Sequence, residues 1–125
     1  HLMEWFYKGL GGIRQEENST AYKSIIIKPA LVDGIEEVKT SHETPFGTIV
    51  SEWRNTDKEL IMKVEIPVNT TATIYIPSLP VDKIRENGIL LENSPDIKLL
   101  EISEEFRRLK VGSGSYQFKI QKRTE

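Results

Sequence analysis

Short runs of β-forming residues, separated by turn residues, constrain the fold of this chain more than any other feature. In residues 60–66 every even position is apolar, whereas Lys63 and Glu65 lie between them, and a period of two is typical of a strand with one buried face. Comparable runs cover residues 23–28, 35–43, 48–53, 71–76, 81–91, 97–102, 106–111 and 116–120. Short strands at roughly ten-residue intervals predict an all-β fold, an antiparallel, jelly-roll-like β-sandwich of about eight or nine strands.

The turn residues support the same fold. Asn87-Gly88, inside the run 81–91, is a strong signal for a tight hairpin turn. The segment 44–47 combines Pro and Gly and predicts a second turn. The Gly-Ser segment 112–115 resembles a phosphate loop, but it lacks a lysine and precedes a strand, so a tight turn is expected there.

The N-terminal segment has a different period. In residues 4–14, Trp5, Phe6, Leu10 and Ile13 recur at spacings of three and four, which predicts one short helix that ends near Gly11-Gly12. Residues 15–21 are polar and are expected to form a linker, and residues 22–125 the sandwich. Residues 1–3 are interpreted as the remnant of a cloning tag.

Composition excludes several classes of function. The 17 basic residues against 19 acidic residues give a net charge of -2, whereas a nucleic-acid-binding face needs a basic excess. Because the chain has no cysteine, it has neither disulfides nor thiolate metal sites. No apolar run approaches the roughly 20 residues that span a bilayer. We therefore expect no nucleic-acid partner, no membrane span and, within this chain, no secretion leader.

Candidate catalytic groups are weak. The adjacent acids 16–17, 36–37 and 104–105 lie in polar context, where nothing supplies the raised pKa that a general acid needs. His42 is the only histidine outside the tag, and one histidine does not make a zinc site. The prediction is therefore no catalytic, cofactor-binding or metal-binding residue and no cofactor. Trp53, Tyr75 and Tyr116 could stack on sugar rings if they were exposed in a row, although a core position is favoured for Trp53.

Five motifs, in order, resemble a known family. EWFYKGLGGIR (residues 4–14) is similar to the pattern E-W-L-Y-x-x-x-x-G-I at the last helix of the (α/α) barrel of bacterial α-L-rhamnosidases. The motifs YKSIIIKP (22–29), TPFGTIVSEW (44–53), IPVNTTATIYIP (66–77) and VGSGSYQF (111–118) resemble segments of the C-terminal β-sandwich of that family. The likeness is weakest over residues 79–110.

The resemblance implies a glycoside hydrolase that removes terminal α-L-rhamnose with inversion, using two carboxyl groups in a barrel upstream of this chain. It also favours a periplasmic or secreted protein. This chain would then be a non-catalytic accessory domain that packs against the barrel of the same polypeptide through Trp5, Phe6, Leu10 and Ile13. Without the barrel, those residues are expected to pack on the sandwich or on a second copy. The alternatives are a carbohydrate-binding module, in which Trp53, Tyr75 and Tyr116 contact a glycan, and a free-standing enzyme.

Overall fold

The computed structural model describes residues 12–15, 23–29, 36–78 and 82–121. Within those ranges it contains eleven strands, which are β1 (Ile13–Gln15), β2 (Ser24–Ile27), β3 (Glu37–Thr44), β4 (Gly47–Asn55), β5 (Glu59–Ile66), β6 (Thr71–Pro77), β7 (Lys83–Glu86), β8 (Ile89–Leu90), β9 (Ile97–Ile102), β10 (Phe106–Val111) and β11 (Gly114–Gln121). One turn of 3-10 helix, Leu91–Asn93, follows β8. The predicted all-β fold is confirmed.

The strands form two sheets. The first has the order β1-β2-β6-β10-β9 and the second the order β3-β4-β5-β11-β7-β8. All pairs are antiparallel except β2 with β6, which run parallel with Ile27 opposite Ile74. The strand count exceeds the prediction because β1 was not expected and because the run 81–91 splits into β7 and β8.

The core lies between the two sheets. Along β5, Leu60, Met62, Val64 and Ile66 are buried, as their alternation predicted. Ile25 and Ile27 of β2 and Ile74 and Ile76 of β6 face them from the other sheet. Trp53 and Phe118 supply the largest fully buried side chains. Each fully buried Ile or Leu stabilises the fold by about 1.5–3 kcal/mol relative to leaving it exposed. This shared interior makes the two sheets one sandwich.

Two hairpin features follow directly from local chemistry. Asn87 and Gly88 both have positive φ, 50° and 88°, as a type I′ turn requires. They join β7 to β8, so the predicted hairpin is confirmed. At the turn 44–47, the Thr44 hydroxyl donates to the Gly47 carbonyl at 2.8 Å and accepts from the Phe46 N–H at 3.1 Å.

The expected N-terminal helix does not extend through residue 14. Ile13 and Arg14 lie in β1, together with Gln15, which had been assigned to the linker. Their backbone pairs with Ile25–Ile27 of β2. This pairing with an isoleucine-rich strand is more stable than a helix of two turns, which is marginal in water. Residues 4–11, where the rest of that helix was expected, and residues 16–22, which held most of the linker, lie outside the described residues.

Candidate functional site

Trp53 belongs to the core. Its side chain is 1% exposed, and it lies on the inward face of β4, opposite Val38 of β3 and Met62 of β5. A sugar ring cannot reach an indole in this position. The glycan-binding alternative therefore loses the residue that would have been its largest platform.

Tyr75 lies in the other sheet, on the outer face of β6. Its ring meets that of Phe106 edge-on, with centroids 5.1 Å apart and planes at 62°. The Lys28 ammonium sits 4.9 Å from the Tyr75 centroid, a cation–π contact worth about 0.5–1 kcal/mol at an exposed site. One face of the ring is thus already in contact with a side chain of the same sheet, which leaves less of it for stacking on a sugar.

Tyr116 lies in the other sheet, where β10 passes into β11. Its hydroxyl donates to the carbonyl of Gly112 at 3.0 Å, and its ring stacks on Phe118 with centroids 6.2 Å apart. Burial raises the pKa of the Tyr116 phenol above 10.0, and the negative charges of Asp96 and Glu86 raise it further, while the bond to Gly112 opposes them. Through the hydrogen bond to Gly112 and the ring contact with Phe118, Tyr116 therefore stabilises the position of the 112–115 turn on the sandwich. Trp53, Tyr75 and Tyr116 do not form the row that the glycan-binding alternative requires.

Glu86 is a buried carboxylate that sequence reasoning missed. It is 7% exposed and accepts hydrogen bonds from the Asn87 side-chain amide and from the Ser94 hydroxyl, the latter at 3.2 Å. Its neighbours line a cleft with Asp96 and residues 112–116. The sequence does indicate this position, because residues two apart in a strand share a face, and Glu86 follows the buried Ile84 by two. With both oxygens bound locally, Glu86 holds the β7–β8 turn to the 3-10 helix.

The acids that the sequence offered as adjacent pairs do not converge. Glu36, Glu37, Glu104 and Glu105 are all exposed, and 16–17 lie outside the described residues. His42 is half-buried on β3. In the portion of the chain that the structure describes, no three His, Asp or Glu residues come close enough to hold a metal ion. The described residues also include no helix with the length and apolar character that a membrane span needs.

The two outer faces of the sandwich differ in chemistry. On the second sheet, neighbouring strands place Lys39 opposite Glu52 and Glu52 opposite Lys63, so opposite charges alternate across the strands. Such a face is suited to water.

The outer face of the first sheet carries polar residues such as Thr73 and Lys110 and, among them, a group of half-buried apolar side chains. We call them the aromatic patch, defined as Ile26, Tyr75, Pro77 and Phe106. Pro77 lies directly opposite Phe106 in the ladder. Beside the patch, Arg108 is opposite Tyr75, and its Nε lies 3.1 Å from the Glu101 carboxylate.

The expected docking residues need one correction. Ile13 is 0% exposed and pairs with Ile27 inside the first sheet, so it is a core residue of this domain and is not available to another one. The expectation failed because a β-strand, not a helix, carries this side chain into the core. Trp5, Phe6 and Leu10 lie outside the described residues, and their docking role stays a prediction.

The chain is similar to known proteins over nearly its whole length. The family described as the bacterial alpha-L-rhamnosidase C-terminal domain matches residues 12–90. An alpha-L-rhamnosidase of Formosa agariphila is 29% identical over 119 residues, which is 95% of this chain and 12% of that protein. The chain therefore spans about an eighth of the length of this relative.

Solved structures agree with this similarity. The alpha-L-rhamnosidase from Dictyoglumus thermophilum superposes with a TM-score of 0.78 at 27% identity, over 90% of this chain and 12% of that chain. The Streptomyces avermitilis alpha-L-rhamnosidase complexed with L-rhamnose has the same fold, with a TM-score of 0.75 at 19% identity, over 92% of this chain and 10% of that chain. The chain therefore belongs to the family of bacterial α-L-rhamnosidase C-terminal domains.

Proposed function

We propose that this chain is the C-terminal accessory domain of a longer α-L-rhamnosidase, in which it packs against the catalytic barrel and stabilises it. The longer enzyme would hydrolyse terminal α-L-rhamnose from glycans with inversion at the anomeric carbon. The observation that carries the proposal is the family match over residues 12–90, combined with relatives in which the matched region is about 12% of the protein.

The chemistry of the described residues supports an accessory role. Inverting hydrolysis needs a carboxylic acid and a carboxylate roughly 6.5–9.5 Å apart across a sugar-sized space. Glu86 is engaged by Asn87 and Ser94, and Asp96 beside it is exposed. Glu86 and Asp96 are therefore not arranged as the acid and the base of an inverting hydrolase.

The two unlike outer faces support packing against another domain. A face of alternating charges keeps its water, whereas burial of an apolar face stabilises an interface by about 25 cal/mol for each Å² removed from water. The aromatic patch is the face that gains from a partner. The glycan-binding alternative has no comparable support, since Trp53 is buried and Tyr75 contacts Lys28.

The proposal is tested with the purified 125-residue chain. We expect no release of 4-nitrophenol from 4-nitrophenyl α-L-rhamnopyranoside above the buffer rate, and no saturable heat on titration with L-rhamnose or rhamnose-containing oligosaccharides. Hydrolysis by the chain would show that it is an enzyme. Saturable binding that a Tyr75→Ala variant abolishes, while a Lys63→Ala variant on the charged face retains it, would favour the carbohydrate-binding module.

A further inference from the structure

Strand β3 forms one edge of the second sheet. Among the described residues it pairs with β4 alone, in an unbroken register along its whole length. The other edge strands are shorter or irregular, since β1 has three residues, β8 has two, and the pairing of β9 contains a register shift. Proteins often shorten or bulge an edge strand, because its outward N–H and C=O groups can pair with another chain. β3 has neither feature, so its charges decide which strand can pair with it.

The backbone of β3 alternates in the direction of its hydrogen-bonding groups. The carbonyl of Glu36, just before the strand, accepts a hydrogen bond from the Asn55 N–H of β4 at 2.7 Å. In an antiparallel ladder, residues that bond one neighbour alternate with residues whose N–H and C=O point the other way. The even-numbered residues of β3 therefore bond β4. The N–H and C=O groups directed to the edge belong to the odd-numbered residues, which also have exposed side chains: Glu37, Lys39, Ser41 and Glu43.

The sequence of β3 is complementary to itself in one register. When two copies pair antiparallel about a two-fold axis, odd-numbered residues must lie opposite odd-numbered residues, which leaves two registers that overlap most of the strand. An axis at Thr40 places Glu37 opposite Glu43 of the second copy, twice, and like charges directly opposite are destabilising. An axis at Ser41 places Lys39 opposite Glu43 of the second copy, twice. Of these two registers, the second alone brings opposite charges together.

The charge pattern of the outer face continues across this register. Within one copy, Lys63 lies opposite Glu52, and Glu52 lies opposite Lys39. Glu43 of the second copy would extend that alternation by one more strand.

We propose that two copies of this chain pair through β3, antiparallel and centred on Ser41, so that their second sheets join into one continuous sheet. The same edge is used on both copies, so the association closes at a dimer. β3 and the aromatic patch lie in different sheets, and the inference does not depend on the accessory role.

Charge reversal tests the register by sedimentation equilibrium of the 125-residue chain. A single strand ladder buries little surface, so we expect a weak dimer with Kd on the order of 100 µM. Lys39→Glu and Glu43→Lys each create two like-charge pairs, and each should raise Kd by about 10-fold or more. The double variant restores two opposite-charge pairs, and its Kd should return to within about 3-fold of that of the parent chain.

Lys63→Glu is the matched control, because it changes the net charge as Lys39→Glu does but lies on the interior strand β5 of the same face. We expect its Kd within about 2-fold of the parent value. A parent chain that stays monomeric up to about 1 mM would overturn the proposal. A double variant that dimerises as weakly as the single ones, or a control weakened as much as Lys39→Glu, would also overturn it.

Amide hydrogen exchange locates the contact without relying on charge. The amides of Lys39, Ser41 and Glu43 should exchange fast in dilute solution and become protected as the dimer forms, whereas the even-numbered amides of β3 stay protected by β4. Ser41→Pro removes an edge N–H and no bond to β4, so this variant should keep the parent's circular dichroism and remain monomeric. Concentration-dependent protection centred on β1 or β9, or a Ser41→Pro chain that dimerises like the parent, would refute pairing through β3.

Discussion

The Gly12→Ala substitution distinguishes two structures for the N-terminal segment, because they predict opposite changes in the free energy of unfolding. In the structure, Gly12 has φ of +74°, and a Cβ built on it would lie 1.9 Å from the Lys28 carbonyl oxygen. A left-handed alanine costs about 1–2 kcal/mol. Relief of the clash moves β1 away from β2 and exposes Ile13, which costs about 2 kcal/mol more. The free energy of unfolding should therefore fall by about 3–4 kcal/mol. If residues 4–14 formed a helix, the same change would stabilise it by about 1 kcal/mol.

Urea unfolding followed by circular dichroism measures the change in the free energy of unfolding. In a thermal scan, the Tm of Gly12→Ala should be about 10–15 °C below that of the parent chain. Gly112→Ala is the matched control, since nothing lies within 4 Å of a Cβ at that position and its φ is not positive. We expect that variant within about 0.5 kcal/mol of the parent chain. A neutral or stabilising Gly12→Ala would refute the pairing of β1 with β2 and restore the helix through Ile13.

Two further predictions follow from buried and half-buried aromatics. Trp53→Ala should lower the free energy of unfolding by about 3–5 kcal/mol in urea titrations, as truncation of a core Trp does. A change below about 1 kcal/mol would show that the indole is not packed as the structure has it. Tyr116→Phe removes the bond to Gly112 and should cost about 1 kcal/mol at neutral pH. Because the pKa of Tyr116 is raised in the folded chain above 10.0, its contribution is complete below pH 10 and is lost as pH rises through the folded pKa. The Tm difference between parent and variant should narrow above pH 10, and a constant difference would contradict the assignment.

Local patterns in the sequence predict most of this fold. The strands 97–102 and 106–111 were predicted with the bounds that the structure has, because each is a β-forming run between turn residues. The hairpin at Asn87-Gly88 was predicted for an equally local reason, since both residues tolerate positive φ. Information confined to ten residues suffices wherever the turn and the alternation agree.

Features that depend on distant partners could not be predicted in this way. The spacing of Trp5, Phe6, Leu10 and Ile13 is helical, yet Ile13 joins a strand because an isoleucine-rich partner lies beside it. The parallel pairing of β2 with β6 brings Lys28 to Tyr75 across more than forty residues of sequence, and no local pattern carries that register. The aromatic patch exists only once those strands are neighbours. Glu86 is a different case, because local alternation with Ile84 predicts its inward position, but a single carboxylate does not match the paired acids of a glycoside hydrolase.

The central claim, that this domain stabilises a catalytic barrel, is tested most directly by the melting temperature of the longer rhamnosidase with and without it. The comparison uses the full-length polypeptide and the same polypeptide ended before Gly12, with rhamnoside hydrolysis measured well below both melting temperatures. We expect a lower Tm for the shortened enzyme and unchanged kcat/KM at low temperature, because the domain contributes contacts and no catalytic group. An unchanged Tm, or a loss of kcat/KM at a temperature where the shortened barrel is still folded, would contradict it.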